Sequence, residues 1–263
     1  MLISRRKLIL GSGALAAPAI IRPNQIAARA LRGIFGNPLT FPARPPGFNP
    51  LHPASNIIRF SAVPIGGNFV SLMQGAKPGV VTATLLPVID PQMGAAINFS
   101  GTTSRSAFSG AFGAIVESTT TMALIANYQV LSGSPNTLET ADNGAGWNLH
   151  TNGTSVRLTT EGVADHNLSL TLTAGVPFFI AISASSAQNL INGVITNLLN
   201  GKISKATTTA STPVAGSGNP QINSNLAGSS ITIAAAMISG AFLSMSQMLQ
   251  WAADPWAFWY PEV

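Results

Sequence analysis

From residue 56 onward, apolar and polar positions alternate in short runs, and Gly, Pro, Asn and Ser separate these runs at close intervals. Alternation with a period of two predicts half-buried β-strands, and closely spaced turn residues favour a sandwich over alternating β and α units. The predicted strands include residues 114–117, 122–131, 178–183 and 231–237. We therefore predict that residues 56–263 form one all-β domain, an antiparallel β-sandwich.

Two Asn-Gly pairs mark predicted hairpin turns. Asn152-Gly153 separates the runs 147–150 and 155–158, and Asn192-Gly193 separates the runs 188–191 and 194–198. Asn-Gly suits the positive φ angles of a type I′ turn, so each pair predicts a two-residue hairpin loop. Residues 201–228 form a long polar stretch with little strand character, and we predict a surface excursion there.

The C-terminal stretch predicts one short helix followed by an aromatic tail. Ser244 is a favourable N-cap and Gln247 lies three residues later, as a capping box requires, so a helix is expected to about residue 251. Pro255 prevents the helix from continuing. Three of the four tryptophans lie in this stretch, among them Trp256 and Trp259. Such aromatic mass predicts either packing onto an apolar surface of the same domain or an interface with a partner.

The first 55 residues form two segments ahead of the predicted sandwich. In residues 1–21, Arg5 and Arg6 precede an apolar stretch that includes Leu8 and Ile9, which is the layout of a twin-arginine export signal or of a segment that anchors the chain to a particle. The apolar stretch is too short to span a bilayer, which needs about 20 residues. Residues 22–55 are rich in proline and predict an extended linker.

Composition excludes several classes of function. The net charge is +5, but seven of the 13 basic residues lie in the first 44 positions, and the remainder of the chain carries a net charge of −2. Basic residues are scattered over the predicted domain rather than clustered, so nucleic-acid binding is not expected. The absence of cysteine removes disulfides, thiolate metal sites and a cysteine nucleophile.

The order of several motifs resembles a known family. Phe-Ser-Gly at 99–101, the long strand at 122–131, Leu-Ile-Asn-Gly at 190–193, Leu-Ser at 243–244 and Asp-Pro-Trp at 254–256 follow one another as in laminin-G-like (LamG), concanavalin A-like jelly-roll domains of bacteriophages and prophages. The resemblance covers roughly residues 56–260. In that family, the strand with Asn-Gly belongs to a central hairpin, and a Leu-Ser helix with an Asp-Pro-Trp tail ends the fold.

The resemblance implies a structural role on a virion. We expect a non-enzymatic surface protein, such as a head decoration, head fibre or tail appendage, with capsid or tail proteins as partners and a homo-oligomeric state. In this interpretation a set of residues anchors the chain to the particle or forms an interface with a partner: Arg5, Arg6, Leu8, Ile9, Trp256 and Trp259. The alternative is a bacterial lectin-like protein that is exported by the twin-arginine route to the periplasm or medium. A glycan hydrolase or lyase is a remote third alternative.

The acidic residues do not predict catalysis. A glycosidase needs two carboxylates that face each other across the sugar bond. Glu139 and Asp142 lie three residues apart in a predicted loop, and Glu161 and Asp165 flank a glycine-containing turn, so we interpret them as solvated loop carboxylates. No Gly-x-Ser-x-Gly sequence is present to carry a serine nucleophile. We predict no catalytic residues.

A carbohydrate site is predicted around the first hairpin. Trp147 could supply an aromatic platform, and the neighbouring polar side chains could bind hydroxyl groups. The candidate carbohydrate-binding residues are Asp142, Asn143, Trp147, Asn148, His150 and Asn152. The alternative is that Trp147 belongs to the core of the sandwich.

Calcium is the candidate metal, because LamG domains often bind it at a sandwich rim. Asp142 and Asp165 could supply some of the six to eight oxygen ligands that this ion needs. Local Asx-turns would explain the same aspartates without a metal.

Overall fold

The computed structural model describes residues 49–73, 80–82, 85–100, 105–108, 115–131, 135–141, 144–216, 218–225 and 230–259. The strands of this part of the chain are β1 (Ile58–Ile65), β2 (Asn68–Ser71), β3 (Val80–Thr82), β4 (Leu85–Asp90), β5 (Gly94–Ser100), β6 (Arg105–Ala107), β7 (Thr119–Val130), β8 (Asn136–Glu139), β9 (Trp147–Asn152), β10 (Ser155–Thr160), β11 (Ala164–Thr171), β12 (Pro177–Ser185), β13 (Leu190–Asn197), β14 (Ile203–Thr208), β15 (Gln221–Asn225) and β16 (Ser230–Ser239). A 3₁₀ turn at Pro53–Ile57 precedes β1, and helix α1 (Met245–Ala253) follows β16.

The strands form two antiparallel sheets. The nine-stranded sheet runs in the order β14-β13-β12-β7-β16-β1-β2, and β5 also pairs with β16 and carries β4 on its other side. The seven-stranded sheet runs in the order β11-β10-β9-β8-β15-β6-β3. One apolar cluster draws side chains from both sheets. The predicted antiparallel β-sandwich with one short C-terminal helix is confirmed. The predicted segment 1–21 and most of the linker 22–55 lie outside the described residues.

A bulge forks the nine-stranded sheet. Residues Ser230–Ile233 of β16 pair with β5, whereas Ala236–Ser239 pair with β1, and the register of β16 against β7 shifts between Ile233 and Ala235. A bulge bends its strand and increases the local twist. The two hairpins β1–β2 and β4–β5 therefore diverge from a single strand.

The first predicted hairpin is confirmed and the second is wrong. Asn152 ends β9 and pairs with Ser155, so the two-residue turn between β9 and β10 consists of Gly153 and Thr154, and Gly153 has a φ of 57°. Asn192 and Gly193 lie inside β13, where they pair with β12. A Cβ at position 193 would lie 2.5 Å from Leu168 Cδ2, so this glycine allows the two sheets to approach closely.

The turn between β12 and β13 lies earlier in the chain, at residues 186–189. Asn189 adopts the left-handed conformation there, with a φ of 48°. The expected surface excursion at 201–228 is also wrong, because two strands lie within it. Strand β14 forms an edge of the nine-stranded sheet, and β15 lies between β8 and β6 in the seven-stranded sheet. The strand predicted at 114–117 is wrong for residues 115–117, which are irregular, and residue 114 lies outside the described residues.

Helix α1 begins as the sequence predicts. Ser244 is the N-cap, its side chain accepts a hydrogen bond from Gln247 N, and the Gln247 side chain accepts one from Ser244 N. Both halves of the capping box are thus formed. The helix ends at Ala253, two residues before Pro255. We call the segment from residue 240 to 259 the C-terminal tail.

The C-terminal tail covers the outer face of the nine-stranded sheet. Its buried apolar side chains form a second cluster with small side chains of the sheet, including Ala123, Ala181 and Ala235. The tail members of this cluster are Leu243, Met248, Trp251, Ala252, Trp256, Phe258 and Trp259. Small residues on the sheet leave room for the indole and phenyl rings, so the sheet has an apolar core on each face.

Candidate functional site

The outer face of the seven-stranded sheet carries alternating polar side chains, which we call the polar face. Strands β9, β10 and β11 direct one set of side chains into the inter-sheet core and the other set away from it, as the period of a strand dictates. The polar face consists of Glu139, Asn148, His150, Arg157, Thr159, Asp165 and Asn167, with Glu161 in the turn that follows β10.

Strand register aligns these side chains in rows. One row crosses four strands, in which Glu139 lies opposite Asn148, Asn148 opposite Thr159, and Thr159 opposite Asp165. A second row places His150 opposite Arg157 and Arg157 opposite Asn167. Opposed side chains in antiparallel strands lie close enough to interact, so the rows form a continuous polar layer, which is buried at Glu139, Asn148 and His150 and exposed at Asp165 and Asn167.

Asn148 lies between two carboxylates at one end of the polar face. Its Nδ2 donates to Glu161 Oε1 over 2.9 Å and to Glu139 Oε1 over 3.4 Å. Asn148 is 1% exposed, and its Oδ1 has no hydrogen-bond partner among the described residues. A buried acceptor without a partner is unusual in a folded protein and is compatible with a ligand or water at that position.

The geometry around Asn148 does not suit acid–base hydrolysis of a glycoside. The two carboxylate oxygens lie within about 6 Å of each other, because both contact the same amide nitrogen. Carboxylates at such a separation can flank a scissile bond in glycosidases. Here the Asn148 amide occupies the space between them and donates to both, so each carboxylate is held as an acceptor.

A hydrogen-bonded network fixes the more exposed part of the polar face. Arg157 Nη1 donates to Asp165 Oδ2 over 2.6 Å, and Arg157 Nε donates to Asn167 Oδ1 over 2.8 Å. Thr159 Oγ1 donates to Asp165 Oδ1 over 2.6 Å and also contacts His150 Nε2. The Asp165 side chain is 49% exposed, so this ion pair contributes little to stability and mainly orients the side chains.

The structure places Trp147 on the opposite side of its strand from the polar face. The residue is fully buried in the inter-sheet core, and its Nε1 donates to Glu117 O over 2.9 Å. This burial favours the core alternative, because a buried ring offers no face on which a sugar could stack. Of the other candidates, Asn148 and His150 lie on the polar face, Asn152 is exposed at the adjacent turn, and Asp142 and Asn143 lie outside the described residues.

The remaining predicted sites are placed as follows. Both carboxylate oxygens of Asp165 already accept hydrogen bonds, from Arg157 and Thr159, and no group of three or more His, Asp or Glu side chains within the described residues is arranged to hold a metal ion. Trp256 and Trp259 are buried within the domain, as the intramolecular alternative expected. Arg5, Arg6, Leu8 and Ile9 lie outside the described residues.

The sequence interpretation missed the part that Glu139 and Glu161 play in the site. Glu139 is the last residue of β8 and is buried, so the expectation of a solvated loop carboxylate is wrong for it. The alternation of Asn148 with Leu149, and of Thr159 with Leu158, was a usable signal for a polar face. The proximity of Asn148 to Glu139 and Glu161 depends on strand register, which no local pattern reveals.

A pocket of about 280 Å³ lies in the fork of the other sheet. Its lining includes Pro64, Gly67, Pro87, Val88 and Ala96. Recognition of a sugar needs several oriented polar groups, and this lining supplies none from its side chains. The polar face is therefore the better candidate for a glycan. No helix in the described part of the chain is long and apolar enough to cross a membrane.

Solved structures with a similar fold include binding domains of clostridial toxins. The binding domain of Paraclostridial Mosquitocidal Protein 1 matches with a TM-score of 0.56 at 12% identity, over 75% of this chain and 52% of that one. The binding domain of Botulinum Neurotoxin DC, solved in complex with SialylT, matches with a TM-score of 0.55 at 11% identity, over 74% and 50% of the two chains. The Botulinum Neurotoxin Type G receptor binding domain gives 0.54 at 11% identity, over 76% and 51%.

These likenesses show that the fold of this chain is an antiparallel β-sandwich. At such low identity they show the fold alone, and this chain spans about half the length of each of these structures. No protein-family model matches the chain, and no curated protein matches its sequence.

Proposed function

We propose that this chain is a non-enzymatic, lectin-like β-sandwich that binds glycans through its polar face. The observation that carries the proposal is the row of polar side chains that strand register aligns from Glu139 through Asn148 and Thr159 to Asp165 on four neighbouring strands; this row is exposed at Asp165, beside exposed Asn167. Carboxylates, amides and hydroxyls are the groups that bind sugar hydroxyls, and a sheet fixes their spacing. The fold supports the proposal, since the similar binding domain of Botulinum Neurotoxin DC was solved in complex with SialylT and, in a second structure, with rat synaptotagmin II.

The absence of catalysis belongs to the same proposal. The Asn148 amide fills the gap between Glu139 and Glu161, where a glycosidic bond would have to lie. His166, another candidate base on β11, is directed into the sandwich and contacts Thr160 Oγ1 over 3.0 Å. We therefore expect glycans to be bound and released without cleavage.

Glycan binding is tested on an array with the intact chain and two variants. Asn167→Ala removes an exposed amide of the polar face, whereas Thr207→Ala removes an exposed hydroxyl on β14 of the other sheet. We expect the unmodified chain to bind at least one glycan, Asn167→Ala to weaken that binding several-fold, and Thr207→Ala to leave it unchanged. Lack of any signal on the array would contradict the glycan-binding role.

For the setting of the protein, we propose a LamG-like surface protein of a phage virion, with residues 1–21 attached to the particle. The arginine-led apolar segment and the proline-rich linker support this arrangement. The alternative remains a bacterial lectin-like protein exported by the twin-arginine route. N-terminal sequencing of purified protein separates the two: retained residues 1–19 support attachment, and their loss supports export.

A further inference from the structure

The exposed part of the polar face continues along β11 beyond Asn167. Exposed and buried residues alternate in this strand from Asp165 to its end, so every second side chain points to solvent. The residues between them include Leu168 and Leu170, which belong to the inter-sheet core and hold the strand in place. The exposed side chains, which we call the β11 strip, are Asp165, Asn167, Ser169 and Thr171.

A bulge lies in the middle of the β11 strip. Arg157 of β10 pairs with Asn167, and Ser155 pairs with Thr171, so a step of two residues on β10 matches a step of four on β11. No residue of β10 pairs with Ser169, which lies within the longer step. A bulge bends its strand and re-aims its side chains, and bulges are frequent next to functional sites. Because β11 is also an edge strand, Ser169 lies at the margin of the sheet without a cross-strand neighbour.

The β11 strip combines fixed side chains with free hydrogen-bonding groups. At one end Arg157 donates to Asp165 Oδ2 over 2.6 Å and to Asn167 Oδ1 over 2.8 Å, which orients both side chains. Within the described residues, no hydrogen bond engages Asn167 Nδ2 or the hydroxyls of Ser169 and Thr171. These groups are on exposed residues, so a ligand can reach them. The amide donates, and each hydroxyl can both donate and accept.

The spacing of the β11 strip favours an extended ligand. Alternate residues of a regular strand lie about 7 Å apart, so the strip presents its groups along one line. A single sugar ring on this line contacts the groups of one or two positions, and these few contacts must offset the whole entropic cost of association. Further units of the same chain add contacts without a second such cost. A pocket for a terminal sugar would instead surround its ligand, which exposed side chains on one strand do not.

We propose that the β11 strip binds internal units of a linear glycan chain, which lies along β11 from Asp165 to Thr171. The amide and hydroxyl groups of the strip bind sugar hydroxyls, and the bulge gives Ser169 the central contact. The inference rests on the proposed function and deepens it, since it names a linear polysaccharide rather than a terminal sugar as the ligand class. Affinity therefore rises with the length of the chain until the chain spans the strip.

An array of homologous series tests this ligand class with the intact chain. The array carries cello-, xylo-, manno- and chito-oligosaccharides from monosaccharide to hexasaccharide, beside short branched glycans that present terminal sugars. In at least one series the hexasaccharide is expected to bind at least about tenfold more tightly than the monosaccharide. Equal affinity across a series, or binding of the branched glycans alone, would overturn the inference while leaving glycan binding in place. A silent array would contradict the proposed function itself.

Matched threonine variants place the glycan chain on the strip. Thr171 and Thr207 are both exposed threonines on edge strands, β11 of one sheet and β14 of the other. Thr171→Ala is expected to weaken hexasaccharide binding several-fold, whereas Thr207→Ala should leave it unchanged. If Asn167→Ala weakens hexasaccharide binding and Thr171→Ala does not, the ligand stops short of the bulge and the inference is wrong.

Discussion

The two faces of the nine-stranded sheet are both buried, but they achieve burial differently. Along β7, Met122 and Leu124 point into the inter-sheet core, whereas Ala123 and Ile125 point toward the C-terminal tail. The inner face is filled by large side chains from both sheets. On the outer face the sheet contributes several alanines, and the tail contributes the large rings, so the second core depends on a single terminal segment.

The outer face also differs from the inner face in the hydrogen bonds that its polar side chains make to the C-terminal tail. Buried side chains on the outer face bind the backbone of the tail: Thr121 donates to Ala241 O over 2.6 Å, Asn192 donates to Leu243 O over 3.1 Å, and Thr196 donates to Ala252 O over 2.6 Å. Each bond gives a carbonyl of the tail a hydrogen-bond partner on the sheet. The tail is thus held by directed hydrogen bonds as well as by apolar contact, and these bonds fix its position on the sheet.

The largest effect is expected from Trp251→Ala. Trp251 contacts the rings of Phe179, Phe258 and Trp259, and its removal leaves a cavity at the centre of the outer cluster. We expect a loss of about 3–5 kcal/mol in the free energy of unfolding. Urea denaturation measures it, with exposed Lys202→Ala as the control, for which the change should stay within about 0.5 kcal/mol. A loss below about 1 kcal/mol would show that the tail is not a true core.

A pH dependence of the same cluster is the second prediction. His52 lies edge-on to Trp251 and Phe258, and burial lowers its pKa to about 4. In the unfolded chain the His52 imidazole takes up a proton below about pH 6.5, whereas in the folded chain it does so only near pH 4. The free energy of unfolding should therefore fall by up to about 3 kcal/mol as the pH drops through this window, and it should be unaffected above it.

Comparison with His52→Gln isolates the part of the pH dependence that His52 causes. Burial also lowers the pKa of His166, partly opposed by Asp165 and by a backbone hydrogen bond with Thr209, so some acid sensitivity remains in the variant. Denaturation between pH 4 and pH 7 should show a shallower slope for the variant than for the unmodified protein. Identical slopes would mean that His52 is as accessible to protons in the folded state as in the unfolded one.

The third prediction tests how tightly the inner face is packed. Gly193→Ala would place a Cβ 2.5 Å from Leu168 Cδ2 and 2.9 Å from Leu170 Cδ1, so these two leucine side chains must move within the inter-sheet core. We expect a loss of about 1–3 kcal/mol. Thermal unfolding measures it, with Gly175→Ala as the control for a turn glycine, because nothing lies within 4 Å of a Cβ there and only its φ of 76° is unfavourable. An unchanged melting temperature for Gly193→Ala would mean that the inner face has spare room.

The smallest effect is expected at the start of the helix. Ser244→Ala removes the side chain that accepts from Gln247 N and breaks the capping box. A cost of about 1 kcal/mol is typical for such a change. Chemical denaturation of this variant beside Ser246→Ala, an exposed position in the first turn, separates capping from loss of a hydroxyl. Equal effects from both variants would argue against a specific cap.

Local patterns predicted much of this fold because they report local physics. Alternation along residues 122–131 and 178–183 identified two central strands, and Ser244 with Gln247 located the helix start. At Asn192-Gly193 a local pattern predicted a turn that is not there. The site requires glycine because a larger side chain would collide with Leu168 on the other sheet. The polar stretch 201–228 misled as well, since β14 within it is an edge strand, and an edge strand needs fewer apolar residues than a central one.

The sequence by itself determined that the chain is an all-β sandwich with one capped helix and an aromatic tail, since strand period, turn residues and capping are properties of near neighbours. Only the tertiary structure decided that Trp147 is a core residue, and that Glu139, Asn148 and Glu161 meet on one face. Those outcomes depend on register between strands far apart in sequence, and a shift of one residue would exchange the two faces of a strand.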